Sequence, residues 1–110
     1  MYAARVVGTV VCTSKEEKLT GLKMLVVQPV NVLNMKNEGK CAVAIDAVGA
    51  GHNEIVLVVG GSSARQTEVT TNKPVDATIM AIVDYIEIEG KLTYEKFEAD
   101  SKVAASKAKA

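Results

Sequence analysis

Two short glycine-containing segments hold most of the residue types that could do chemistry in this chain. The first segment comprises Gly49, Ala50, Gly51, His52, Asn53 and Glu54. Its glycine spacing matches the start of a dinucleotide-binding fingerprint, but that fingerprint needs a third glycine where Glu54 stands, and a carboxylate there would repel a phosphate. We therefore interpret this segment as a tight turn in which glycine and Asn53 adopt positive φ angles.

The second segment comprises Gly60, Gly61, Ser62, Ser63, Ala64 and Arg65. It is compatible with a phosphate-binding loop or with the start of a short helix capped by Ser62 or Ser63, although the lysine of a Walker-type loop is absent after the glycines. A serine nucleophile would need His52, the single histidine, as its base, and Asp46 or Asp84 to orient it. The spacing does not favour such a triad, but the sequence alone leaves it open.

Arg65 follows a run of small residues, where two subunits could approach each other closely. Its planar guanidinium suits a bidentate contact with a carboxylate across an interface, and an ordinary surface arginine is the equal alternative. Cys12, Cys41 and His52 are too few and too scattered to predict a metal site. We predict no metal, no cofactor and no enzymatic activity.

The composition indicates one small domain that does not bind nucleic acid. The chain has 110 residues, 48% of them hydrophobic and 4% aromatic, with 13 basic and 13 acidic residues. A net charge of zero and few aromatic rings offer neither the field nor the stacking surfaces that nucleic acids require. No apolar run is long enough to span a membrane. We expect Cys12 and Cys41 to be buried free thiols of a cytoplasmic protein.

Short strands separated by turns must position these segments. The strands are predicted over residues 5–13, 21–29, 41–46, 55–59, 77–84, 85–89 and 92–94. Gly8 in the first strand indicates a bulge or a sharp bend. Residues 55–59 are apolar on both faces, so both faces must be covered, either by the barrel interior and a neighbouring subunit or by two layers. Strands at this spacing predict an all-β fold, a small closed barrel over residues 1–94. Residues 95–110, rich in Ala and Lys, are predicted to form a frayed helix or a disordered tail, with a docking helix as the alternative.

A family resemblance rests on Gly8-Thr-Val-Val-Cys-Thr13, Leu19-Thr-Gly-Leu-Lys-Met-Leu-Val-Val-Gln-Pro29, Val43-Ala-Ile-Asp-Ala-Val-Gly-Ala-Gly51, residues 54–59, Gly61-Ser-Ser-Ala-Arg65, Pro74-Val-Asp-Ala77 and Ile82-Val-Asp84. Over residues 1–91 these segments together resemble the EutN/CcmL vertex proteins of bacterial microcompartments, although Asn53 stands where that family usually has glycine. The resemblance implies a five-stranded β-barrel related to the OB-fold. It also implies a cyclic homopentamer at the five-fold vertices of a polyhedral shell, beside hexameric shell proteins in the cytoplasm.

The resemblance leads to a hypothesis about where copies of the chain meet. The small residues permit close approach, so residues 60–65 are predicted to lie at the subunit interface or to line an axial opening. Residues 49–54 are the second interface candidate. Any apolar face of residues 55–59 that the barrel leaves uncovered should meet the next subunit. The alternative function is an OB-like module that binds a small ligand or single-stranded nucleic acid.

Overall fold

Five strands close into a barrel in the computed structural model, which describes residues 1–73 and 75–96. The barrel strands are β1 (Tyr2–Val10), β2 (Met24–Pro29), β3 (Ala42–Asp46), β4 (Ile55–Gly60) and β5 (Ala77–Ile82). Around the barrel they lie in the order β1-β2-β3-β5-β4, and β4 pairs back onto β1. The predicted all-β barrel of five strands is therefore confirmed.

Shorter elements connect and extend the barrel. A hairpin of β6 (Tyr85–Ile88) and β7 (Lys91–Glu95) follows it, and two 3-10 helices, η1 (Glu17–Leu19) and η2 (Gly61–Arg65), lie in the β1–β2 and β4–β5 connections. In the barrel, β3 and β5 pair in parallel and the other neighbours pair antiparallel. The tail predicted over residues 95–110 begins inside β7, and its remainder from residue 97 lies outside the described residues.

The barrel interior is aliphatic, as the scarcity of aromatic residues predicts. Its buried residues are Ala4, Val6, Leu25, Val27, Ala44, Ala50, Val56, Val58 and Ile79. Alternate residues of a strand point to opposite faces of the sheet, so Ala4 and Val6 of β1 share one interior with Val56 and Val58 of β4. This pattern fixes the strand register, because a slip by one residue would turn those side chains to the outside.

The outer face of β4 is covered by the chain itself. Ile55 is 1% exposed and packs in a second cluster with Ala3 and Val30, against which Val83 and Tyr94 also pack. Tyr94 belongs to β7, so the hairpin forms part of a second layer outside the barrel. Both faces of β4 are therefore largely covered, with Leu57 half-buried. At Ile55 the cover is a second layer of the same chain, which is one of the two arrangements expected from the sequence.

A bulge interrupts β1 next to Gly8, as the internal glycine predicts. Val6 pairs with Val27 and Gly8 pairs with Val26, so Val7 is the extra residue without a partner on β2. An extra residue bends its strand and increases the local twist. The bulge therefore lets β1 curve between β2 and β4 as the wall closes.

The two thiols are free, as predicted, but both are exposed rather than buried. Cys12 lies beyond the end of β1, because Val10 pairs with Met24, the first residue of β2, and nothing continues the ladder. Cys41 precedes β3, where its thiol donates to the Oε1 atom of Gln28 over 3.2 Å. Each cysteine lies just outside the strand that was expected to bury it.

Candidate functional site

Asp46, the last residue of β3, organises the turn of residues 49–54. Its side chain is 2% exposed, and its Oδ1 atom accepts the backbone N–H groups of Val48, Gly49 and Ala50 over 3.1, 3.0 and 3.1 Å. Its Oδ2 atom lies 3.8 Å from the ammonium of Lys23. The carboxylate thus holds the start of the turn through three main-chain hydrogen bonds and is a structural group.

Glu54 holds the other end of the same turn. Its carboxylate accepts the N–H of Gly51 and forms an ion pair with Lys96 at 2.8 Å. A Cβ atom on Gly51 would lie 3.1 Å from that carboxylate, so the close approach favours glycine. The hydrogen bond from Lys96, with help from the Gly51 N–H and against the effect of partial burial, lowers the pKa of Glu54 below its usual value.

The turn adopts the backbone angles that its residues predict. Gly49 has φ +77° and Asn53 has φ +66°, both in the left-handed region. Asn tolerates this region better than most residues, which explains how it replaces glycine here. The turn is also docked on β1, since the N–H of Asn53 donates to the Val6 carbonyl over 2.8 Å and the N–H of Val6 donates to the Glu54 carbonyl over 3.0 Å.

Residues 61–65 form a short helix after Gly60, and its cap differs from the predicted one. Gly60 occupies the N-cap position without a side-chain hydrogen bond, while Ser62 and Ser63 lie inside η2 and are exposed. The N–H of Gly61 is bound instead by the backbone carbonyl of Asp76 over 2.9 Å. Asp76, just before β5 in the same chain, supplies this acceptor. The predicted serine cap is therefore wrong.

The end of η2 is fixed by the strand beside it. Ala64 is fully buried, and its carbonyl accepts the hydroxyl of Thr78 over 2.6 Å. Arg65 is exposed, and its Nη1 atom donates to the Val75 carbonyl over 3.3 Å. The segment therefore presents Gly60, Gly61, Ser62 and Ser63 to the outside, while its last two residues are hydrogen-bonded to Val75 and Thr78.

The two candidate segments lie at opposite ends of β4 and do not form one site. A strand of six residues at about 3.3 Å each spans roughly 20 Å, whereas a base must lie within about 3 Å of the proton it accepts. His52 therefore cannot act on Ser62 or Ser63, and the triad that the sequence left open is excluded. In residues 1–73 and 75–96, no three His, Cys, Asp or Glu side chains are placed to hold a metal ion.

Sequence reasoning missed two residues beside Arg65. Lys18 of η1 and Lys73 of the loop after η2 line an open cavity of about 480 Å³ together with Arg65 and Asn72. The three cationic residues come from separate parts of the chain. No spacing motif could have connected them, because only the closure of the barrel brings their loops together.

The chain is similar to proteins of one known family. The model of the family described as "Ethanolamine utilisation protein EutN/carboxysome" matches residues 1–84. The chain is 46% identical over 87 residues to the bacterial microcompartment shell vertex protein GrpN of Rhodospirillum rubrum, covering 79% of this chain and 97% of that one. Among solved structures it resembles Gloeobacter violaceus CcmL, with a TM-score of 0.83 and 37% identity over 88% of this chain and 99% of that one. It also resembles the GrpN pentameric microcompartment shell protein from Rhodospirillum rubrum, with a TM-score of 0.73 and 45% identity over 80% and 99% of the two chains.

None of the helices in the described residues has the length and apolar character needed to cross a bilayer.

Proposed function

We propose that this chain, which belongs to the EutN/CcmL family, is a structural shell protein whose pentamers occupy the vertices of a bacterial microcompartment. GrpN is named a shell vertex protein, and its solved structure is described as pentameric. The function of such a protein is geometric. A sheet of hexagonal tiles is flat, and a closed shell needs five-fold positions, which a cyclic pentamer supplies when each subunit is rotated correctly against the next.

The observation that supports the proposal most directly is the pattern of exposed and buried side chains in residues 60–65. Four small residues at the start of this segment are exposed, while Ala64 is fully buried and bonded to β5. Small side chains on a rigid support allow several copies of a backbone to approach one axis. We assign this segment to the subunit interface or to the wall of a narrow axial opening.

The turn of residues 49–54 is the second proposed contact surface. His52 and Asn53 are exposed at its tip, while Ala50 is buried and the backbone is held by Asp46, Glu54 and β1. A turn fixed in this way loses little conformational entropy when a neighbour binds it. Because it lies at the other end of β4 from residues 60–65, one subunit carries two separate surfaces. Head-to-tail rings require that arrangement.

The partners of the ring are proposed to be hexameric shell proteins, and the role is not enzymatic. The excluded triad removes the one catalytic arrangement that the sequence left open. A principal role in binding single-stranded nucleic acid is not supported, because the chain is electrically neutral and only 4% aromatic. Family membership favours the shell role over that alternative.

Native mass spectrometry tests the ring directly. The expected mass is five times 11.6 kDa, which is 58 kDa. Arg65→Ala should increase the share of smaller species while the far-ultraviolet circular dichroism stays unchanged, because the side chain is exposed and only its Nη1 atom bonds within the barrel. Lys40→Ala, which removes a cation from a different exposed loop, should leave the mass at 58 kDa. A stable monomer of the unaltered chain at micromolar concentration would contradict the ring.

A further inference from the structure

We infer that the open cavity between the β1–β2 and β4–β5 connections binds a small, multiply charged oxyanion such as a phosphate group. The cavity measures about 480 Å³ and is lined by Lys18, Arg65, Asn72 and Lys73. Lys18 lies on η1, Arg65 ends η2, and the other two residues follow in the same connection. This site goes beyond the proposed shell function, because its four lining residues all belong to one chain. One of them, Arg65, also ends the segment that is assigned to the subunit interface or the axial opening.

No carboxylate in the described part of the chain forms a direct ion pair with the cations that line the cavity. No carboxylate oxygen in residues 1–73 and 75–96 lies within 4.0 Å of the charged nitrogens of Lys18, Arg65 or Lys73, and the two ion pairs found there involve Lys23 and Lys96. Glu16 and Glu17 precede Lys18, and the Glu16 carboxylate accepts the backbone N–H of Lys18 over 2.6 Å rather than binding its ammonium. Three cations that line one cavity repel one another, and an anion placed between them reduces that repulsion. A dianion matches this arrangement better than a neutral ligand or a single carboxylate.

Asp76 is the acidic residue closest in sequence to Lys73 within the described residues. The pKa of the Tyr2 phenol is raised by its burial and, to a smaller extent, by the negative charge of Asp76. Asp76 also lines a neighbouring cavity with Leu19, the residue after Lys18. It forms no ion pair with the cavity lysines.

The loop that carries Asn72 and Lys73 is held in place by its own hydrogen bonds. Thr70 is fully buried, and its N–H donates to the Thr67 hydroxyl over 3.0 Å, while the Thr71 hydroxyl donates to the Thr67 carbonyl over 2.6 Å. The N–H of Lys73 then donates to the Thr70 carbonyl over 3.0 Å. A ligand that binds here does not have to order the loop, and this preorganisation favours affinity.

The donors of the cavity are those that recognise phosphate. Arginine offers a planar pair of N–H groups, lysine a compact positive charge, and asparagine an amide donor. The four lining residues include no aromatic ring on which a base could stack, so the cavity suits a phosphate group rather than a nucleic-acid strand. In OB-fold barrels generally, the loops between strands 1 and 2 and between strands 4 and 5 flank the ligand site. The cavity lies between the same two connections.

Titration of the full chain with sodium phosphate tests the site. Amide chemical shifts of Lys18, Arg65, Asn72 and Lys73 are followed by nuclear magnetic resonance against sodium chloride of equal ionic strength. The expected dissociation constant is about 1 mM, in keeping with an exposed site. The double variant Lys18→Gln with Lys73→Gln should weaken binding roughly tenfold or more, and replacing both lysines by arginine should preserve it.

The matched control removes two positive charges elsewhere. Lys36→Gln with Lys40→Gln has the same net charge as the test variant, and both lysines are exposed on the β2–β3 connection. This control should bind phosphate as the unaltered chain does. A parallel titration with glycerol 3-phosphate shows whether the site takes only the free ion or also the phosphate group of a larger molecule.

The inference is overturned if sodium phosphate shifts none of the four amides, and two further results overturn it as well. Either chloride reproduces the shifts, or the glutamine variant binds phosphate as well as the lysine control does. Native mass measured on the same samples shows whether the pentamer forms, so the test of the anion site stays separate from the test of the ring. If phosphate does not bind and the glutamine variant no longer forms pentamers, the cavity is a subunit contact. If phosphate binds to a chain that is monomeric, the anion site stands and the pentamer does not.

Discussion

Replacing Glu54 by glutamine would test how the turn of residues 49–54 is held. The carboxylate lies 2.8 Å from the ammonium of Lys96, and the two side chains are 20% and 31% exposed. Exposed ion pairs contribute about 0.2–1 kcal/mol, and hydrogen bonds to charged groups contribute about 1.5–3 kcal/mol. For a half-buried pair we expect Glu54→Gln to lower the free energy of unfolding by about 1 kcal/mol. Glutamine keeps an oxygen for the Gly51 N–H, so the change reports mainly on the ion pair.

The free energy of unfolding that Glu54→Gln removes should depend on pH in a defined direction. The pKa of Glu54 is lower in the folded chain than its usual value of 4.5. Its ionised form therefore stabilises the fold fully above the unfolded pKa, and this contribution disappears as the pH falls through the lowered folded pKa. The glutamine variant has no such titration. The difference between the two proteins should be present at pH 7 and should shrink as the pH falls below 4.5.

Thermal unfolding at one fixed protein concentration measures this difference. A loss of about 1 kcal/mol should lower the melting temperature by roughly 4 °C for a chain of this size. Glu68→Gln, at an exposed position, is the matched control and should change it by less than about 1 °C. A difference between the Glu54 variant and the unaltered chain that is the same at pH 7 and pH 3 would refute this account of the ion pair. Native mass recorded at each pH separates effects on the ring from effects on the barrel.

Two further predictions concern Asp46 and the thiols. Asp46→Ala removes the acceptor of three backbone N–H groups, one of them on the buried Ala50, so thermal unfolding should show a loss of about 2–3 kcal/mol. Asp46→Asn, which keeps an oxygen acceptor, should recover most of it, and equal losses would contradict the assigned role. Cys12 and Cys41 are both exposed, so a maleimide should label two thiols per chain without denaturant. Labelling that requires unfolding would show that the assembled protein covers them.

Features set by local backbone geometry could be predicted from the sequence. Gly8 inside a valine-rich run indicated a bulge, and the bulge lies beside it because an extra residue is needed where β1 bends. Gly49 and Asn53 indicated a turn with positive φ angles, and both residues have them. The aliphatic composition likewise anticipated the barrel core. In each case the residue type itself limits the conformations available.

Features set by distant parts of the chain could not be predicted. Cys12 is exposed because β2 begins opposite Val10, and the start of β2 is not encoded near Cys12. The serine cap failed because the carbonyl of Asp76, from another loop, binds the N–H at the start of η2. The cationic cavity combines η1 with the connection after β4, and this proximity depends on how the barrel closes.

The pairing of β3 with β5 has a mechanical consequence. It is parallel and only two residue pairs long, Ile45 with Thr78 and Asp46 with Ile79, whereas the other neighbours in the barrel share four to six pairs. Every other pair of neighbouring strands in the barrel is antiparallel and shares more residue pairs. Antiparallel pairing is also slightly more stable per residue. Strain imposed by ill-fitting neighbours would therefore concentrate along this line. A subunit built in this way can flex at one hinge line while the rest of its wall keeps its shape.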